Sequence, residues 1–265
     1  MAGPFTGGTP IVFRPLRRST LLLAAVALLA LPAGASANHS WGGYHWARTA
    51  SPFTLKLGDN VSSVWDPILA TTSSDWTQST VLNTTIVAGG AKPRNCRPTT
   101  GRVEVCDATY GNNGWLGVAS ISITGGTHIT QGTVKLNDTY FNTPQYNTTP
   151  WRNLVSCQEV GHTLGLDHQD TNFDNPNLGT CMDYTNDPST NQHPNKHDYD
   201  ELVTIYTHLD SSTTIGQAPA SAAAAGTAQS EWGREVSRSA SGHTSTFVRD
   251  LGAGNSVVTF VFWTN

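Results

Sequence analysis

The chain has 265 residues, a formal net charge of −4 and only 13% charged side chains, which sets aside the basic footprint of a nucleic-acid binder or an anionic-membrane binder. That length suits one substantial domain with appendages, or two small domains, well above the size at which a hydrophobic core forms unaided.

Arg14, Arg17 and Arg18 precede an apolar run over residues 21–31, followed by Pro32 and the small-residue sequence Ala35-Ser36-Ala37. This is the three-part plan of a secretory signal, with cleavage expected after Ala37. The apolar run is shorter than the ~20 residues a spanning helix needs, so the expected product is secreted, extracellular and free of the membrane after cleavage. Cys96, Cys106, Cys157 and Cys181 remain, and an even count in an exported protein favours two disulfides. Three pairings are available. The favoured one joins Cys96 to Cys106 across a short loop and Cys157 to Cys181, tying the residue before Gln158 to the residue before Met182.

In chain order, residues 38–50 are aromatic and glycine-rich without a period, and read as an extended arm packed on the domain. Residues 53–57 alternate as a half-buried strand does, and residues 63–81 carry Val64, Trp65, Ile68, Leu69 and Trp76 at helical spacing, with Ser62 or Ser63 as the cap. Strand patterns follow over residues 81–88, 102–108, 116–124 and 128–136. Thr149 as cap and Pro150 at the first helical position open a helix anchored by Trp151, Leu154, Val155, Val160 and Leu164 and stopped at Gly165. A last helix is expected over residues 196–208. Residues 211–230 shift to Ser, Thr and Ala and read as a linker. Two alternating runs, 245–251 and 256–263, flank Gly252-Ala253-Gly254-Asn255 as a hairpin. Two strands alone are marginal, so this tail should dock on the main domain or a partner.

The chemistry concentrates in CQEVGHTLGLDHQD, residues 157–170. Gln158 and His162 are four apart and project from one helical face, with Glu159 at its rim. Gly165 releases the chain to turn, so that His168 approaches the same point from another side. Three such ligands leave the fourth position of a tetrahedral metal open to water, and Glu159 is placed to take a proton from it.

QEVGHTLGLDH resembles the metzincin metallopeptidase signature, most closely its matrixin form, with glutamine at the first ligand position. Met182 fits the methionine turn beneath the metal of that clan, and Tyr184 two residues later resembles the tyrosine of astacins and serralysins. Gametolysin-like enzymes include members with the same glutamine. The resemblance covers residues 53–209 and implies an α+β fold: a twisted, mostly parallel sheet with an antiparallel edge strand at residues 115–123 that pairs with extended peptide substrate, an active-site helix, a methionine turn and a C-terminal helix. It further implies metal ligands Gln158, His162 and His168, Glu159 as general base, Tyr184 as stabiliser of the tetrahedral intermediate, and Met182 under the metal.

The expected organisation is a signal peptide (1–37), a metzincin-like domain (38–210), a Ser/Ala-rich linker (211–230) and a hairpin tail (231–265). The expected activity is that of a monomeric, secreted, metal-dependent endopeptidase acting on protein or peptide substrates. Zinc is the expected ion and copper the alternative, since an amide oxygen replaces a nitrogen that zinc prefers. The alternative function is an inactive extracellular binding protein on the same scaffold. His39, beside the new N-terminus, is a candidate substitute ligand; His45, His128, His193, His197, His208 and His243 are expected to be ordinary polar residues, with His197 and His208 on the last helix. Asp167, Asp170, Asp174 and Asp183 match no EF-hand spacing. With no room for an inhibitory segment ahead of the first strand, and no cysteine before Cys96, the enzyme is expected to be exported in its final form.

Overall fold

A computed structural model of the chain describes residues 1–5, 7–8, 39–216 and 228–264. The expected signal segment and the middle of the expected linker lie outside the described residues. Among the described residues, no helix is long and apolar enough to cross a membrane. The chain divides into two compact units, Met1–Ser36 and Ala37–Asn265, and every element named here lies in the second.

The fold is mixed α+β, built on one sheet. Strands β1 (His45–Trp46), β2 (Phe53–Asn60), β3 (Leu82–Ala88), β4 (Val103–Ala108), β5 (Trp115–Thr124) and β6 (His128–Asn137) come from the body of the chain. Strands β7 (Arg234–Arg238), β8 (Thr244–Gly252) and β9 (Asn255–Trp263) come from the tail. The order is β3-β2-β4-β6-β5-β9-β8-β7, with β1 pairing the start of β6. From β3 to β6 the pairing is parallel; from β6 through β5 to β7 it is antiparallel. Strand β5 is buried along nearly its whole length, as a strand covered on both faces must be.

Helices α1 (Asp66–Trp76), α2 (Asp138–Phe141), α3 (Thr149–Thr163) and α4 (Lys196–Ile205) complete the unit. The cap of α1 is Trp65, without a side-chain bond; Ser62, an expected cap, is instead held by Asp107, to which its hydroxyl donates. The cap of α3 is Thr148, one residue earlier than expected, its side chain accepting from Trp151 N–H. Pro150 therefore stands at the second helical position, where a missing N–H still costs nothing. The last helix stops at Ile205, so His208 lies beyond it.

The largest departure concerns the tail. It contributes three strands, and β5 is not an edge: β9 hydrogen-bonds along it from Trp115↔Trp263 to Ile123↔Ser256. Strands β8 and β9 do pair as a hairpin, but alternation within a strand carries no information about its partner. The first linker residues are also docked, since Ala47 N–H donates to Thr214 Oγ1 (3.1 Å) and Thr214 N–H to Ala47 O (3.0 Å).

Candidate metal centre beneath the tail

Helix α3 carries Gln158, Glu159 and His162 on its buried side, and its own end is dictated locally. Gly165 adopts φ +102°, and a Cβ there would collide with the carbonyl oxygen of Tyr44. The arm is thereby laid against the turn: Trp41 N–H donates to Gly165 O (3.0 Å), and Trp46 Nε1 caps the free carbonyl of Thr163 (2.9 Å). The chain then reverses, and His168 meets His162 with ring centroids 4.4 Å apart.

Under the helix, Met182 packs against Gly161, where a Cβ would lie 2.6 Å from Met182 Sδ. The Cys157–Cys181 and Cys96–Cys106 disulfides are both formed. Beside the former, Gln158 Nε2 donates to Cys181 O at 2.8 Å. That carbonyl needs a donor, which orients the amide and leaves Oε1 as the free atom. His162 Nδ1 is engaged at 2.8 Å by Leu166 O, which only accepts, so Nε2 bears the lone pair. His168 Nδ1 faces Asp167 Oδ1 at 3.1 Å.

Three atoms at this place are buried and have no hydrogen-bond partner: Gln158 Oε1, Glu159 Oε2 and His168 Nε2. Each such orphan costs about 1–3 kcal/mol unless something else satisfies it. The donor set, two imidazole nitrogens and a neutral amide oxygen, fits a divalent ion. Burial, reinforced by His168, lowers the His162 pKa to about 3, so the ring is neutral and in the ligating form. Burial raises Glu159 well above the usual carboxylate range against the opposing Ala119 N–H. Burial and the Glu159 charge together raise the Tyr184 phenol, whose hydroxyl bonds Thr244.

The tail closes this place. Phe260 of β9 stacks on His162, with centroids 4.3 Å apart and planes 6° apart. Phe262 meets Tyr184 edge-on at 5.1 Å, and Tyr184 lies 4.3 Å from His168. Gln158, Glu159, His162, Met182 and Tyr184 are each at most 2% exposed. The structure brings His162, His168 and Tyr184 into ring contact, packs Met182 against the helix that carries Gln158 and Glu159, and covers His162 and Tyr184 with a segment whose position the sequence did not reveal. His39 Nδ1 bonds Asp167 O and its ring stacks on His197.

A separate group, His45, His208 and Asp210, has ligand atoms within 4.8 Å of one another and can bind a metal ion. No motif announces it, since His45 and His208 are 163 positions apart. The available signal was the His208-x-Asp210 spacing, which keeps two candidate ligands close along the chain.

No family model matches the chain, and no curated protein matches it. Among solved structures, a crystal structure of myroilysin is similar over 68% of this chain and 97% of that one, at 12% identity and a TM-score of 0.34. Similarity at that level does not define a shared fold, and the functional reading rests on the site itself.

Proposed function

We propose that the chain is a secreted, monomeric, metal-dependent endopeptidase of the metzincin type, acting on protein or peptide substrates, whose cleft is closed by its own C-terminal strands. The observation that carries this reading is the set of orphaned buried atoms, Gln158 Oε1, Glu159 Oε2 and His168 Nε2, on the helix and turn that also hold the neutral His162. Gln158, His162 and His168 would hold zinc, or copper as the alternative, with Met182 beneath. When bound, the ion supplies Lewis acidity that makes water a better nucleophile.

The remaining chemistry belongs to side chains. Glu159 takes the proton of the attacking water and passes it to the leaving nitrogen. Burial disfavours its carboxylate while the cleft is closed, and admission of water restores it. Tyr184, once free of Thr244, donates a hydrogen bond to the developing oxyanion. Strand β5, once free of β9, offers backbone pairing to an extended substrate with modest sequence demand. The tail thus replaces the expectation of export in final form with a latent state.

The sealed cleft also favours a second reading, a non-catalytic extracellular binding protein in which β9 is permanent. A recognition sequence for a specific protease, inserted between residues 217 and 227 of the full chain, separates the two. Casein hydrolysis that begins after the cut and is lost in Glu159→Ala supports the enzyme. If the cut is complete and no hydrolysis follows, the binding protein stands.

A further inference from the structure

Away from the covered cleft, three segments distant in sequence converge on Asp210. His45 and His128 are direct partners in the parallel pairing of β1 with β6, and His208 and Asp210 follow the end of α4. Asp210 Oδ1 lies 3.5 Å from His45 Nε2, 3.6 Å from His208 Nε2 and 3.2 Å from His128 Nε2. The two nitrogens of His208 and His45 are 3.3 Å apart. Four donors at zinc-ligand bond lengths around one tetrahedral ion stand about 3.3 Å from one another. The spacing is therefore that of atoms sharing an ion.

The groups are also held in ligating form from outside. His45 Nδ1 is bonded at 2.8 Å by Gly43 O, a pure acceptor, so Nδ1 carries the proton and the Nε2 lone pair faces the cluster. A second-sphere carbonyl on the far ring nitrogen is the usual support of a metal-bound histidine. Asp210 Oδ2 accepts from Arg48 N–H at 2.9 Å, which leaves Oδ1 for the cluster. Arg48 further fixes the carbonyls of His208 (2.5 Å) and Tyr206. His45 and Asp210 are nearly buried, whereas the His208 side chain is 56% exposed. An ion thus has a route in, and a water molecule has access to the fourth position.

We propose that His45, His208 and Asp210 form a second metal site, for a divalent cation of the zinc class, that fastens the N-terminal arm to the chain beyond α4. His128 is the outer partner that steadies the Asp210 carboxylate. The imidazole-rich donor set disfavours magnesium and calcium. The proposal stands apart from the peptidase reading, because no ligand is shared.

The test uses purified full chain, stripped with chelator and titrated with zinc chloride, then with cobalt chloride. Bound metal per chain, the visible absorption of tetrahedral cobalt and the melting temperature are recorded for the wild type, His208→Ala, Asp210→Asn, His128→Gln and His168→Ala. Exposed His208 can be truncated without loss of fold. His208→Ala is expected to remove one equivalent of metal, weaken zinc binding by about 100-fold or more and abolish a melting rise of about 5–10 °C at hundredfold excess over Kd. His128→Gln should weaken binding by about tenfold. His168→Ala should leave this equivalent in place; if the peptidase reading alone fails, the wild type binds one equivalent, still lost in His208→Ala. The proposal is overturned if His208→Ala and Asp210→Asn keep the wild-type stoichiometry and zinc-induced melting rise.

Discussion

His162 and His168 lie beneath β9 with a stacked phenylalanine over one ring and a tyrosine against the other, whereas His208 stands 56% exposed with its Nε2 3.3 Å from that of His45. Both groups keep a ring nitrogen free by giving the other to a backbone carbonyl: His162 to Leu166 and His45 to Gly43. They differ in what surrounds the free nitrogen. Around the first, apolar rings exclude water and leave polar atoms orphaned; around the second, a carboxylate already waits. The contrast teaches that ligand geometry and ligand access are set by separate parts of a fold. Helix α3 and its turn set the first centre, and a tail about one hundred residues later sets access to it.

The difference can be attacked at its strongest point. Phe260→Ala removes a fully buried ring from over His162 and should cost about 3–5 kcal/mol in urea unfolding, the usual range for an aromatic core truncation. A loss below about 1 kcal/mol would mean that β9 is loosely held. Next in size, Gln158→His exchanges an amide oxygen for a nitrogen zinc prefers, and should raise zinc affinity at the covered centre on the order of 100-fold by competition titration, with the His208 group unchanged. In zinc-loaded protein, a colorimetric chelator should empty the exposed group at least about tenfold faster than the covered one, which waits on local opening of the tail. Phe260→Ala should narrow that gap, and equal release rates in the wild type would erase the distinction. Smallest is Thr244→Val, which strips Tyr184 of its partner on β8 and should cost about 1 kcal/mol by thermal unfolding.

Much of the covered centre was legible because it is local. The spacing from Gln158 to His168 needs only a helix and a glycine turn, and the +102° φ of Gly165 explains why that glycine is required. Met182 and Tyr184 were expected only from the resemblance to the metzincin methionine turn. The strands β2 to β6 were legible from alternation and turn residues. What escaped was long-range. Nothing in the alternation of residues 256–263 says that β9 lies on β5, because period two specifies a face and not a neighbour. The His45 group escaped for the same reason: its members sit at positions 45, 128, 208 and 210, and β1 is only two residues long, too short for any periodicity to announce its pairing with β6. Thr148 displaced Thr149 as the cap because either threonine suits the role and only the backbone decides between them.

Strand β9 has a further consequence in the order of synthesis. Ser120 and Thr259 exchange a hydrogen bond across β5 and β9 although 139 positions separate them. At typical elongation rates, the ribosome needs on the order of ten seconds to make the intervening chain. For that interval β5 is an apolar strand with one unpaired side, the kind of template on which neighbouring chains add strands. A nascent chain interrupted before residue 255 would keep that edge permanently. The strand that covers His162 in the finished protein is therefore also the last safeguard against association of the unfinished one.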